Sequence, residues 1–252
     1  MAAMSMAAVS ADLSVEIRRK SYPGTVLFDG FRLTLPAGGF TALVGPSGCG
    51  KSTLLNMIAG LDRDFDGAVT LPAGRGGEPV LGYVFQNPRL LPWYTVAENL
   101  ALVLRHRPGW PALAAAWLRD VGLEGQGDTY PARLSGGMAR RAALARAFAV
   151  EPDLLLMDEP FVSLDAPTAR RLRALLAGIL RAHPTTVLFV THDVREAVAL
   201  ADRILFLSPS PVRVLLDMPV GLSAGERADE DVVDRLCRDL QRTHGALLDS
   251  GG

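Results

Sequence analysis

Gly45-Pro-Ser-Gly-Cys-Gly-Lys-Ser52, followed by Thr53, is the stretch that decides the fold. It fits G-x-x-x-x-G-K-[ST], comes straight after the apolar run Phe40 to Val44 and opens a helical run from Ser52 to Ala59. That strand, loop and helix context is the one in which the pattern binds phosphate. A phosphate chain needs many amide donors close together; glycines let the backbone fold around it, and the helix N-terminus adds positive potential. Gly45, Pro46, Ser47, Gly48, Cys49, Gly50, Lys51, Ser52 and Thr53 are therefore the candidate contacts to a nucleotide's phosphates. Lys51 can reach the outer phosphates, and Ser52 can offer its hydroxyl to Mg²⁺. Of the 26 basic residues only Lys20 and Lys51 are lysines. A compact ammonium fits between phosphate oxygens where a planar guanidinium does not, which accounts for Lys51. Lys20 reads as a chance survivor of an arginine bias. Cys49 has two readings: a thiol activated by the helix N-terminus, so that alkylation blocks nucleotide entry, or a small residue that simply fits.

Outward from the loop, short apolar runs recur between helical patterns: Val80 to Phe85, Leu154 to Met157, Val187 to Val190 and Ile204 to Leu207, which read like strands buried on both faces. Arg170 to Arg181 carries leucines and an isoleucine at helical spacing, with Pro167 suited to a first turn. Asp193 can cap a further helix, with Glu196 three positions on. Such alternation predicts an α/β fold with a mostly parallel sheet and ligands beyond the carboxyl ends of its strands. Leu13 to Ile17 and Val26 to Leu35 precede any helix and are expected to pair as an antiparallel side sheet. Glu98 to Val150 is helical and alanine-rich, an inserted lobe, and a helix is expected over Asp231 to Leu240.

The chain has 252 residues, 49% hydrophobic and 21% charged, enough for one domain with a subdomain. Its net charge of -1 supplies no bulk attraction to nucleic acid or anionic lipid, so no nucleic-acid partner is expected. Cys49 and Cys237 form neither a disulfide framework nor a metal spacing and suit a reducing compartment. Met1 to Asp12 reads as a loose leader without an export signal. The longest uncharged stretch, Leu33 to Gly50, is broken by five glycines and two prolines, so no membrane span is expected.

Leu154-Leu-Leu-Met-Asp158 is an apolar strand ending in a carboxylate, which delivers a second acid to the Mg²⁺ shell at the same sheet edge. Glu159, next to it, is placed to polarise the water that attacks the γ-phosphate. With Leu134-Ser-Gly-Gly-Met138 between the phosphate loop and this strand, the chain resembles the ATP-binding subunits of ABC transporters from about Leu13 to Leu216. The resemblance implies a P-loop NTPase with a RecA-like core, and a nucleotide-binding domain over 13–216 with its helical subdomain at about 88–150. A short extension follows over 217–252. It makes Ser135, Gly136 and Gly137 the signature contacts to ATP and Tyr22 the aromatic that stacks on adenine. Gln86 becomes the glutamine joining metal and membrane partner, Ser163-Leu-Asp165 the loop crossing a dimer interface, and His192 the γ-phosphate contact. Met138 replaces the family's usual glutamine and offers no amide donor.

The same resemblance implies a homodimer sandwiching ATP head to tail, with hydrolysis driving its opening. Because the pore lies elsewhere, the partners are integral membrane permease subunits and, indirectly, a solute-binding protein. The protein would be cytoplasmic and peripheral on the inner face of the membrane. Asn87-Pro-Arg-Leu-Leu-Pro-Trp-Tyr94 is similar to importers of the nitrate, sulfonate and taurine branch. Leu90, Leu91 and Trp93 are expected to grip the permease, with packing under the helical lobe the other reading for Leu90. An exporter, a lipoprotein-release ATPase and a non-transport ABC ATPase are the alternatives.

Overall fold

The structure is a computed structural model and describes residues 12–75 and 77–249. The expected leader lies outside these residues apart from Asp12. Strand β1 (Leu13–Tyr22) pairs antiparallel with β2 (Thr25–Leu35), from Leu13 opposite Leu35 to Tyr22 opposite Thr25. Leu13, Val15 and Ile17 alternate inward while Ser14 stays exposed, the period-two pattern of a half-buried strand. β3 (Phe40–Val44) is buried at all five positions and leads into helix α1 (Lys51–Ile58). β4 (Asp66–Thr70) then returns to β1 as a third side-sheet strand, giving the order β2-β1-β4. β4 leaves no strand signal in the sequence, because its burial alternates and it holds no apolar run. Gly67 permits the pairing: a Cβ there would lie 2.1 Å from the Glu16 carbonyl oxygen.

β5 (Leu81–Val84) is followed by the lobe helices α2 (Val96–Leu104), α3 (Trp110–Asp120) and α4 (Gly136–Ala149). The chain re-enters the sheet as β6 (Leu154–Asp158), continues through α5 (Ala166–Ala182), β7 (Thr186–Thr191), α6 (Val194–Leu200) and β8 (Arg203–Leu207), and adds β9 (Val214–Pro219). α7 (Ala224–Ala228) and α8 (Glu230–Asp249) close it, α8 being longer than the expected Asp231 to Leu240. The main sheet runs β5-β6-β7-β3-β8-β9, parallel except for antiparallel β9 at the edge. Its two faces divide the core by strand alternation. Ala42, Leu155, Met157 and Phe189 face the helices, whereas Leu43, Leu154, Leu156 and Leu188 face α1 and the side sheet. Each of the leucines, the methionine and the phenylalanine, fully buried, contributes roughly 1.5–3 kcal/mol. Pro167 lies in the first turn of α5, where Asp165 accepts the cap from the Thr168 N–H at 2.9 Å.

Candidate nucleotide site

This strand order sets the carboxyl ends of β5, β6, β7 and β3 side by side, and the phosphate loop, Gln86, Asp158, Glu159 and His192 lie at or just beyond those ends. The phosphate loop joins β3 to α1. Gly50 caps α1 in the left-handed region at φ 108, and a Cβ there would press against the Leu27 side chain at 3.0 Å. Lys51 is 5% exposed, and its Nζ donates to the Gly45 and Pro46 carbonyls at 2.7 and 2.8 Å. Ser52 Oγ donates to Asp158 Oδ1 at 2.9 Å, so the hydroxyl and the strand-end carboxylate meet as expected. Burial raises the Asp158 carboxyl's pKa, with the Ser52 hydrogen bond opposing it. Two oxygen donors brought together in this way suit a hard divalent cation.

Glu159 adopts φ 43, and its N–H donates to the Val190 carbonyl at 2.9 Å, turning the side chain back over the strand ends. Its Oε2 lies 3.2 Å from His192 Nδ1 and 3.5 Å from Gln86 Nε2. Two residues distant in sequence, Gln86 and His192, thus converge on one oxygen of the Glu159 carboxylate. Gln86 leans on Glu159, and no hydrogen bond among the described residues joins it to Ser52 or Asp158. Tyr22 is 48% exposed at the end of β1. Ser135 stands apart: it is exposed at the start of α4, where its Oγ accepts from the Met138 N–H at 3.2 Å. Among the described residues no hydrogen bond or ion pair links Ser135, Gly136 or Gly137 to the phosphate loop. Met138 is partly buried and packs against the core. Thus a residue without an amide donor occupies an apolar setting.

Two expectations need correction. The Cys49 thiol is 3% exposed, and burial raises its pKa despite the charge of Lys51, so the activated-thiol reading fails and the small fitting residue stands. Asp193 caps α6 through the Arg195 and Glu196 N–H groups, but the Glu196 carboxylate accepts from Thr191 Oγ1 at 2.6 Å instead of returning to the cap. Two residues, Arg140 and Asn99, carry contacts that leave no pattern of that role in the sequence. Arg140 on α4 donates to the carbonyls of Gln86, at 3.0 Å, Pro160, at 2.8 Å, and Val162. Asn99 is fully buried, accepts from the Leu91 N–H at 2.8 Å, and donates to the Leu91, Tyr94 and Thr95 carbonyls. An asparagine inside the apolar run of α2 was the available signal. Lys20, which reads in the sequence as a chance survivor of an arginine bias, is 3% exposed and paired with Asp62.

The family model described as ABC transporter matches residues 28–162, which include the phosphate loop, the Ser135 turn and the Asp158-Glu159 pair. The chain belongs to the ABC transporter family. It is an ATPase subunit of that family, as the resemblance implied, and its fold is the P-loop NTPase fold. An aliphatic sulfonates import ATP-binding protein, SsuB 2 of Burkholderia lata, is 47% identical over 204 residues, 80% of this chain and 75% of that protein. SsuB 1 of Pseudomonas syringae pv. syringae is 40% identical over 238 residues, covering 92% of this chain and 97% of its own length. Among solved structures, a dimeric bacterial ABC transporter cassette matches with TM-score 0.72 and 28% identity over 84% of this chain and 100% of that one. A dimeric cassette in a post-hydrolysis state bound to ADP and Pi matches with TM-score 0.71 and 27% identity over the same shares.

Proposed function

We propose that this ATPase drives uptake of aliphatic sulfonates through separate membrane permease subunits, with a solute-binding protein delivering the solute. The observation that carries the catalytic part is the convergence of Gln86 and His192 on Glu159, one residue beyond the paired Asp158 and Ser52. Lys51 and the loop amides hold the phosphates of ATP, and Tyr22 stacks on its base. Ser52 and Asp158 would hold Mg²⁺, which would neutralise charge on the phosphate oxygens, and Gln86, just beyond the neighbouring strand β5, would be a further metal contact. Glu159 orients the attacking water and accepts its proton, while His192 keeps that carboxylate aimed and contacts the γ-phosphate. Ser135, Gly136 and Gly137 act on the ATP of a second copy, so the working unit is a head-to-tail homodimer.

Gln86 also begins the segment that meets the permease. Trp93 is 67% exposed on it, and Asn99 fixes the backbone that presents it. Leu90 instead packs against the core, which favours the packing reading for that residue. No helix among the described residues is long and apolar enough to cross a membrane; docking on the inner face of the membrane follows from the likeness to import ATP-binding proteins. The cassette is assigned to 13–216, its helical subdomain to about 88–150 and the extension to 217–252.

The test is uptake of labelled alkanesulfonate into proteoliposomes holding the permease, the binding protein and this chain. Uptake should require ATP and Mg²⁺. Glu159→Gln should still bind ATP while hydrolysis falls about 10²- to 10⁴-fold and uptake stops. Undiminished hydrolysis in that variant would remove the water-orienting role. ATP-driven uptake of a different organic solute, with sulfonate excluded, would overturn the solute assignment and leave the ATPase chemistry intact.

A further inference from the structure

Lys20 occupies a socket built for a single ammonium. Its Nζ donates to Asp62 Oδ1 at 3.0 Å and to the Asp64 carbonyl at 2.6 Å, and lies 2.9 Å from Asp62 Oδ2. The same nitrogen sits over the Tyr22 ring, 4.9 Å from its centroid, and the Tyr22 hydroxyl donates to Asp62 Oδ2 at 3.5 Å. Burial pushes the Lys20 pKa down, but the hydrogen bonds and charges of Asp62, with Tyr22 and Asp64 adding to them, raise it overall, so the group stays cationic. Asp62 is itself anchored, because its N–H donates at 3.1 Å to the carbonyl of Asn56 on α1, the helix that the phosphate loop opens. Tyr22 is therefore fixed by Lys20 and Asp62 to the far end of the helix whose near end meets the phosphates. Nearly half of the tyrosine's surface remains open.

A chain that uses arginine at every cationic position except Lys20 and Lys51 places lysine where a compact donor is required. Arginine at position 20 would bring a broad planar fork to oxygens clustered around one point. We propose that Lys20 is a positioning residue for nucleotide binding: with Asp62 it holds the Tyr22 ring in place, so that its open face stacks on the adenine with little further loss of side-chain freedom. This rests on the assignment of Tyr22 to the base. Prior ordering of a side chain that must be immobilised on binding raises affinity, and a cation over an aromatic face adds attraction that holds the ring. Both lysines then serve one ligand, Lys51 at its phosphates and Lys20 at its base.

The test compares, by calorimetry on the full chain with Mg²⁺, the dissociation constants of ADP and of inorganic pyrophosphate, which has no base. Lys20→Met and Lys20→Arg should each weaken ADP by about fivefold while leaving pyrophosphate unchanged. Tyr22→Ala should weaken ADP at least as much. Should the Lys20 variants not fold, Asp62→Asn, which keeps the side chain's size, is expected to give the same selective loss. Loss of ADP affinity in Tyr22→Ala but not in the Lys20 or Asp62 variants would overturn the positioning role and leave the base assignment standing. Unaltered ADP binding in Tyr22→Ala would overturn both. Parallel loss of ADP and pyrophosphate would make Lys20 a general support of the fold and overturn the proposal.

Discussion

At the scale of single residues, position in a reactive loop does not determine reactivity. Cys49 lies two residues before Lys51 at the start of α1, where charge and helix dipole both favour a thiolate. Burial acts in the opposite direction and prevails, so the Cys49 pKa is raised. The sign follows directly: a raised pKa leaves less thiolate at pH 7, and alkylation proceeds through the thiolate. Cys49 should therefore react with iodoacetamide more slowly than a free cysteine at pH 7, and its rate should still be climbing above pH 9.0, the ordinary value for the group. Cys237, pushed up to about 11 mainly by burial, should be slow as well, so labelling must be resolved peptide by peptide with mass spectrometry. Rapid modification of Cys49 at neutral pH would mean that the loop opens far enough to expose it.

At the scale of elements, α4 connects the Ser135 turn to the catalytic strand ends. Arg140, one turn into the helix, bonds the backbones of Gln86, Pro160 and Val162, and Arg146, further along, donates to the Pro88 and Arg89 carbonyls at 2.9 Å. These bonds tie α4 to the loop that carries Gln86 and to the turn beyond Glu159. Arg140→Ala should cost about 2 kcal/mol by releasing three carbonyls from a charged donor. That corresponds to a fall in Tm of about 4–8 °C in thermal unfolding, together with impaired hydrolysis in the assembled transporter. Unchanged stability would show that water replaces the guanidinium without loss. The same residue marks the limit of what was legible in the sequence. β3, β6, β7 and β8 were readable because burial on both faces leaves continuous apolar runs. β4 and β9 are edge strands with alternating exposure and left no such run. The phosphate loop and Asp158-Glu159 were readable because their chemistry is contiguous. Arg140 and Gln86 are 54 positions apart, and a side chain that bonds distant carbonyls produces no local pattern. Gln86, Tyr22 and His192 entered through family likeness, and their convergence or pairing is a property of the fold.

Across the fold, the residues proposed to hold ATP lie in two separate groups. Lys51, Ser52, Asp158 and Glu159 gather at the carboxyl edge of the sheet, whereas Ser135 and Gly136 are exposed at the start of α4. Two copies related by a two-fold axis can place each exposed turn on the other's phosphate loop, and each ATP then touches both. Mixing variants separates this arrangement from a site completed within one chain. Lys51→Ala should lose its phosphate contacts, and Ser135→Arg should block the signature surface, so neither variant alone traps ATP. A mixed pair keeps one intact site, because the phosphate loop of the Ser135→Arg copy faces the signature turn of the Lys51→Ala copy. Equimolar mixing should therefore restore ATP-dependent association, followed by light scattering, and retention of labelled ATP, to a level below that of the unaltered chain. If each site were completed within one polypeptide, mixing two deficient copies would restore nothing, since every chain would still carry its own defect.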